Sequence, residues 1–310
     1  MAPRVTVYEV GPRDGLQNEA VTVSTPDKLA LVEALAAAGL RRIEATSFVA
    51  PRWIPQLADA DALTRALPRR AEVSYVVLVP NAKGLERLAA SLEERRRAHD
   101  EQDVEAAVFL SASETHNRKN LNRTVDEKLR ELETLVPAAR ALGLRVRGYV
   151  STVFGCPYEG PVAPERSAMV AERLVALGCE QVSLGDTIGV ATPGDTRRVL
   201  ERVARSVPMT RIALHMHDTR GTALANVLAG LEAGIATFDA SIGGLGGCPY
   251  APGAAGNLAT EDLVYMLHGM GYETGIDFVK LIAAGALAQR LVGRRLPGKT
   301  LQAELARAEV

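Results

Sequence analysis

Cysteine is scarce in this chain. Its three residues, at 156, 179 and 248, are too few and too scattered for a disulfide framework or a paired Cys-x-x-Cys zinc knuckle, a usage that fits reducing surroundings. Aromatic residues make up only 4 %, and 36 basic against 37 acidic side chains leave a formal charge of −1, so composition gives no case for nucleic acid or an acidic membrane surface. No apolar run approaches the roughly 20 residues of a membrane span. Strand-like sequence begins at residue 5, which leaves no room for a secretory or transit segment. The expected location is the cytoplasm. No G-x-G-x-x-G follows the first strand, which counts against a dinucleotide-binding fold. What the chain does have is bulk: 310 residues, 47 % of them hydrophobic, enough for a sizeable core.

One rhythm repeats along it. Strand-like runs fall at 5–10, 42–45, 73–79, 104–110, 145–150, 181–184, 211–215 and 237–241. Helical patterns lie between them, among them 25–38, 124–142, 164–177 and 222–233, with Gly39, Gly143, Gly178 and Gly234 at the expected helix ends. Eight strands alternating with helices predict an α/β protein, a closed (β/α)8 TIM barrel, with an open doubly wound sheet as the competing arrangement. Helices at 261–271 and 277–292 then form a C-terminal helical extension.

In such a barrel the active site lies at the C-terminal ends of the strands, and the chemically suggestive residues collect there. Arg13 and Asp14 follow strand one, which breaks at Gly11-Pro12; Glu44 ends strand two; Ser113 and Glu114 follow strand four; Asp186 and Thr187 end strand six. In RIALHMHDT the alternation puts His215 and His217, at i and i+2, on one face of strand seven. Two imidazoles on one face are half of a metal shell, and Asp14 offers a hard oxygen. The alternatives are a pair of hydrogen-bonded core histidines and an ordinary solvated Arg-Asp-Gly turn. Cys248 and Asn257 occupy the glycine-rich loop GGLGGCPYAPGAAGN after strand eight, where Cys248 is either reactive or simply packed.

The segments EVGPRDGLQNE, IEATSFVAPRW, VSLGDTIGVATPGD, LHMHDTRGTALAN and SIGGLGGCPYAPGAAGNLATEDLVYML resemble the motifs of the 3-hydroxy-3-methylglutaryl-CoA lyase family of DRE-TIM metallolyases, over residues 5–292. Related Claisen synthases share the barrel and the HxH but not the cysteine loop. The resemblance implies a pyruvate-carboxyltransferase-like catalytic barrel over residues 1–272 with an extension over 273–310. It also implies metal-dependent cleavage of an (S)-3-hydroxy-3-methylglutaryl thioester of CoA to acetyl-CoA and acetoacetate, as in leucine degradation, in a homodimer or larger homo-oligomer.

Carried over residue by residue, the family pattern implies Mg2+ or Mn2+ on Asp14, His215, His217 and Asn257, an ion that chelates the substrate's tertiary hydroxyl and carboxylate. Arg13 then stabilises the departing thioester enolate and Cys248 protonates it. Glu44 orients Arg13 or a metal-bound water, and either Asp186 or His217 takes the hydroxyl proton. Gln17, Ser113, Tyr149 and Thr187 are expected to donate hydrogen bonds to substrate. Cys156 and Cys179 read as structural. SLEERRRAHDEQD reads as a solvated helix and loop, and within it residues 95–103 depart from the family pattern as an insertion on the barrel's far face. Two other readings stay open: a sibling lyase or synthase for a different acyl-CoA, and a catalytically silent barrel that binds an acyl-CoA or metal.

Overall fold

The computed structural model describes residues 3–98, 104–247 and 256–308, with backbone only at 96–98. Eight parallel strands close into a barrel in sequence order: β1 (Thr6–Glu9), β2 (Arg42–Ser47), β3 (Ser74–Leu78), β4 (Val104–Ser111), β5 (Val146–Ser151), β6 (Gln181–Gly185), β7 (Ile212–His215) and β8 (Thr237–Ala240), with β8 pairing back to β1. All eight coincide with the expected runs, and the open sheet is excluded. Their residues are buried on both faces because helices cover the outside and side chains fill the lumen. The main core joins the strands' outer faces to the helices, while a second cluster, containing Tyr8, Val76 and Tyr149, fills the lumen.

Helices α1 (Thr25–Ala37), α2 (Ala60–Ala66), α3 (Ala82–Ala98), α4 (Glu114–Leu121), α5 (Val125–Ala141), α6 (Pro164–Leu177), α7 (Pro193–Val203), α8 (Ala223–Glu232) and α9 (Thr260–Gly269) connect the strands. Local chemistry sets their ends. Thr124 and Thr192 each close a reciprocal capping box with an acidic residue three positions on. Gly39, Gly143, Gly178 and Gly234, the four glycines expected at helix ends, all have positive φ, which lets the chain turn away without a Cβ penalty.

Past α9 the chain climbs the barrel wall. The amide of Asp277 donates to the carbonyl of Ala38 at the foot of α1, and Asp277 caps α10 (Phe278–Val292), which packs along α1. At the other end Gly298 N donates to Gly243 O, beside the loop after β8, before α11 (Lys299–Ala308). The patterns at 261–271 and 277–292 are therefore helices within one or two residues; α11 was not anticipated. No helix of the described residues is long and apolar enough to cross a membrane.

The charged stretch before β4 is not wholly solvated. Arg95 is buried, and its guanidinium donates to the carbonyl of Leu67 at 2.6 Å, tying α3 to the end of α2. A long arginine stem covers apolar surface while its head satisfies carbonyls that end a neighbouring helix. His99 and residues 100–103 lie outside the described residues.

Candidate active site and metal centre

β1 stops at Glu9, and residues 11–15 form a single π-helical turn in which the amides of Arg13, Asp14 and Gly15 all return to the carbonyl of Val10. Arg13 and Asp14 thus follow the strand, as the break at Gly11-Pro12 predicts, and sit in a wide turn above it. Pro12 lacks an amide for the ladder, and one-turn π-helices recur at functional sites. Arg13 donates from one nitrogen to Asp14 Oδ1 at 2.6 Å and from another to Glu44 Oε2 at 2.7 Å. Glu44, expected at the end of β2, lies within it because the strand runs on to Ser47; it is fully buried and also accepts from the Tyr149 hydroxyl at 3.1 Å. The guanidinium is therefore fixed from two sides.

His215 ends β7; His217, one step beyond, forms an isolated antiparallel bridge with Asn257 on the return of the loop after β8. The two Nε2 atoms stand 3.2 Å apart, and with a carboxylate oxygen of Asp14 they form a cluster of donors all within 4.8 Å of one another. Adjacent ligands about 2.1 Å from one ion stand about 3 Å apart when they subtend a right angle, so the spacing suits a shared cation. Asn257 gives its amide hydrogens to Asp14 Oδ2 at 2.9 Å and Leu245 O at 3.1 Å, and its buried Oδ1 has no hydrogen-bond partner among the described residues. A buried acceptor left unpaired is costly. A cation at the cluster is the partner it would take, so Asp14, His215, His217 and Asn257 fit the group.

Electrostatics sharpen the picture. Burial alone would raise Asp14, but the adjacent Arg13 and the two histidines outweigh it and hold the carboxyl at about 2. Burial, aided by His215, drives His217 down to about 3, leaving a neutral imidazole. Burial also lowers His215, yet its bond to Asp239 and that carboxylate's charge raise it above the ordinary value overall. Arg13 is lowered by burial and raised more by Glu44 and Asp14. Glu44 is lifted by burial against the pull of Arg13.

The remaining candidates are placed as follows. Asp186 is buried after β6, each carboxylate oxygen accepting one loop amide, from Val190 and Ala191, both at 3.0 Å; burial raises its pKa although those bonds oppose the shift. Ser113 caps α4 and donates to Cys156 Sγ at 2.9 Å. Thr187 Oγ1 accepts from the amide of Thr152, a β-branched residue held at φ 57°. Gln17 is half-buried just past the π-turn. Cys156 and Cys179 are buried, and burial pushes Cys179 up to about 12. Cys248 lies outside the described residues. The described stem of its loop stands at the cluster: Gly246 has φ 104°, and a Cβ there would lie 2.7 Å from Asn257 Nδ2.

Residues 4–288 match the HMGL-like family. The chain belongs to that family. Among the family's members it is 49 % identical over 306 residues to the hydroxymethylglutaryl-CoA lyase of Pseudomonas mevalonii, covering 98 % of each chain. A crystal structure of the Bacillus subtilis HMG-CoA lyase superposes with a TM-score of 0.92 at 48 % identity, covering 98 % of this chain and 99 % of that one. An HMG-CoA lyase from Acinetobacter baumannii, in complex with coenzyme A and 3-methylmalate, gives 0.89 at 38 %, covering 97 % and 95 %.

The sequence reading of this HMGL-like chain missed the charged side chains beneath the site. Glu9 Oε1 accepts from the amides of Gly11 (2.7 Å) and Ile242 (2.8 Å), and Oε2 from Thr260 Oγ1 (2.6 Å), joining the π-turn to the loop after β8. Glu261 Oε2 accepts from Gly243 N at 2.7 Å, while its buried Oε1 has no hydrogen-bond partner among the described residues. A charged residue inside a strand buried on both faces, as in TVYE or TFDA, was the available signal.

Burial raises Glu261 to about 8 from its ordinary 4.5. A carboxyl raised by folding favours the native state while protonated, and that contribution is lost as pH climbs from about 4.5 through about 8. Glu261→Gln carries no such penalty. The stability difference, variant minus parent, is expected to rise between pH 5 and 8 by at most about 1.4 kcal/mol per pH unit. Urea unfolding at three pH values measures it, and a pH-independent difference would show that folding does not raise the pKa of Glu261.

Proposed function

We propose that this chain is a divalent-cation-dependent carbon–carbon lyase that cleaves (S)-3-hydroxy-3-methylglutaryl-CoA to acetyl-CoA and acetoacetate. The observation that carries the reading is the meeting of Asp14, His215, His217 and the unpaired Asn257 Oδ1 beside a guanidinium pinned by Glu44. A divalent ion held there, Mg2+ or Mn2+ by its oxygen and nitrogen ligands, supplies positive charge next to the substrate's tertiary hydroxyl and favours loss of its proton.

The chain's own residues do the rest. His217 would be one of the residues that hold the ion, which favours Asp186 as acceptor of the hydroxyl proton. Its carboxyl is made more basic by burial, and its backbone amide bonds the carbonyl of His215. Cleavage moves negative charge onto the thioester oxygen of the departing fragment. Arg13, already oriented, offers it a preorganised cation at no reorganisation cost. Cys248 delivers the proton to the enolate carbon from a loop whose stem abuts Asn257. Gln17, Ser113, Tyr149 and Thr187 remain our candidates for substrate hydrogen bonds, although Ser113 and Tyr149 already serve Cys156 and Glu44. We also read residues 1–272 as the catalytic barrel, 273–310 as its extension, and the active species as a homo-oligomer.

Incubating the purified chain with Mg2+ or Mn2+ and a series of 3-hydroxy-3-alkylglutaryl-CoA thioesters tests the reading. Acetyl-CoA is expected from the methyl compound at the highest kcat/KM; a preference for a longer alkyl group favours the sibling lyase, and no product from any of them the silent barrel. Cys248→Ser swaps a tunable thiol for a far weaker acid and is expected to cost about 10²-fold in kcat with Mn2+ binding retained. Cys156→Ser and Cys179→Ser should keep most turnover. If Cys156→Ser is the dead variant instead, the proton donor is misassigned.

A further inference from the structure

Asp239, at the heart of β8, belongs to none of the roles above, yet it touches a metal-site histidine. It is paired in register with Tyr8 of β1 and His215 of β7, so the three side chains share the lumen. Its Oδ2 lies 3.2 Å from His215 Nδ1 and accepts from Ser183 Oγ at 2.8 Å; its Oδ1 accepts from Arg147 at 2.6 Å. Arg147 is itself fixed, with its guanidinium carbon 3.6 Å from the centre of the Tyr8 ring and one nitrogen 3.3 Å from the Tyr149 hydroxyl. All of Asp239 and Arg147 is buried.

We propose that Asp239, held by Arg147, is the positioning residue of the metal centre: it keeps the proton of His215 on Nδ1 so that Nε2 faces the Asp14–His217 cluster as a bare donor. The assignment rests on reading that cluster as a cation site. The chemistry is directional. A carboxylate only accepts, so a hydrogen bond to it at 3.2 Å requires a proton on Nδ1, and a neutral imidazole then has its lone pair on Nε2. Arg147 on Oδ1 and Ser183 on Oδ2 hold both oxygens of the carboxylate, which opposes its swinging toward the cluster and becoming a ligand itself. Arg147 also supplies the opposite charge that makes a fully buried aspartate tolerable. The edge of the Tyr149 ring, perpendicular to His215 at a centroid separation of 6.3 Å, completes the enclosure of the imidazole.

Asp239→Asn separates this role from simple packing, because the amide has nearly the same shape but one donating end. Arg147 requires an acceptor where Oδ1 stands, so the amide nitrogen falls where Oδ2 was and donates to His215 Nδ1. The proton of His215 is thereby moved to Nε2, the atom that should ligate.

Long-range 1H–15N spectra of metal-free protein labelled at its five histidines report the tautomer, with His215 assigned by loss of its signals in His215→Ala. The parent is expected to carry the proton on Nδ1 and Asp239→Asn on Nε2. Mn2+ titration followed by the electron paramagnetic resonance of the free ion should show about 10- to 100-fold weaker binding in the variant. A neutral His215 in the parent with its proton on Nε2 and none on Nδ1, read at a pH above its titration, overturns the proposal without any variant, should Asp239→Asn fail to fold. Equal Mn2+ affinity in the two proteins overturns it while leaving the cation site standing. Failure of the parent to take up Mn2+ overturns the cation-site reading, and the proposal with it. A merely structural Asp239 would lower the melting temperature and move neither tautomer nor affinity.

Discussion

Exhaustive chelation is expected to abolish thioester cleavage, and Mg2+ or Mn2+ to restore it. Three side chains bring donor atoms within 4.8 Å of one another, and a fourth, Asn257, keeps a buried carbonyl oxygen without a hydrogen-bond partner among the described residues. Without the ion, nothing offsets the charge of the forming alkoxide, and Asp186 alone is expected to leave the proton of the tertiary hydroxyl in place. Arg13 cannot substitute, because both of its engaged nitrogens already serve carboxylates. Removal should also register where no substrate is present. A ligand at 100 times its dissociation constant adds about 2.7 kcal/mol to folding stability, so the melting temperature should climb as metal is returned. Full turnover by metal-free protein would refute the mechanism, and a melting temperature indifferent to metal would refute the site.

Replacing Arg13 with methionine should lower kcat by about 10²- to 10³-fold, roughly 3 to 4 kcal/mol of transition-state stabilisation, with KM changed far less. The charge it is proposed to meet exists only once the carbon–carbon bond is breaking, which places the loss in kcat. Mn2+ binding should not weaken. Arg13 competes for Asp14 Oδ1 at 2.6 Å, and its removal frees that oxygen. The same change strips Glu44, fully buried, of its cationic partner, so that carboxyl is expected to protonate and the variant to melt earlier. Arg13→Lys should fail nearly as badly, since one ammonium cannot span Asp14 and Glu44 as the fork does. Near-normal kcat in the methionine variant would reduce Arg13 to a structural ion pair.

Much of this architecture could be read from the chain because its signals are local. Gly11-Pro12 marks the end of β1, positive-φ glycines mark the ends of helices, and the HxH spacing puts two imidazoles together whatever the tertiary context. Asn257 carries no such mark. It reaches the site because the return of the loop after β8 bridges to His217; its place in that loop was legible, but only the family resemblance made it a ligand. Asp239, Arg147 and Glu9 were overlooked for a different reason. In a barrel both faces of a strand are buried, so the alternation that separates inside from outside on an ordinary sheet disappears, and a lone charge in such a strand does not say which partner it meets. The π-turn at residues 11–15 has no sequence signature beyond its proline and glycines, and Arg95 was misjudged because a run of charges hides which member points inward.

Asn257 leaves little freedom to whatever might replace it. Its side chain gives two hydrogens, one to Asp14 on the turn after β1 and one to Leu245 on the loop stem, and still keeps an acceptor of its own. An aspartate could offer the oxygen but would set a second carboxylate against Asp14. A glutamine carries the same amide one methylene further, into a stem where Gly246 approaches so closely that even a Cβ is shut out. Serine and threonine have one hydrogen to give, not two. Position 257 is thus a joint between three segments of chain as well as a candidate ligand, and the inventory of natural side chains holds only asparagine that can serve as both.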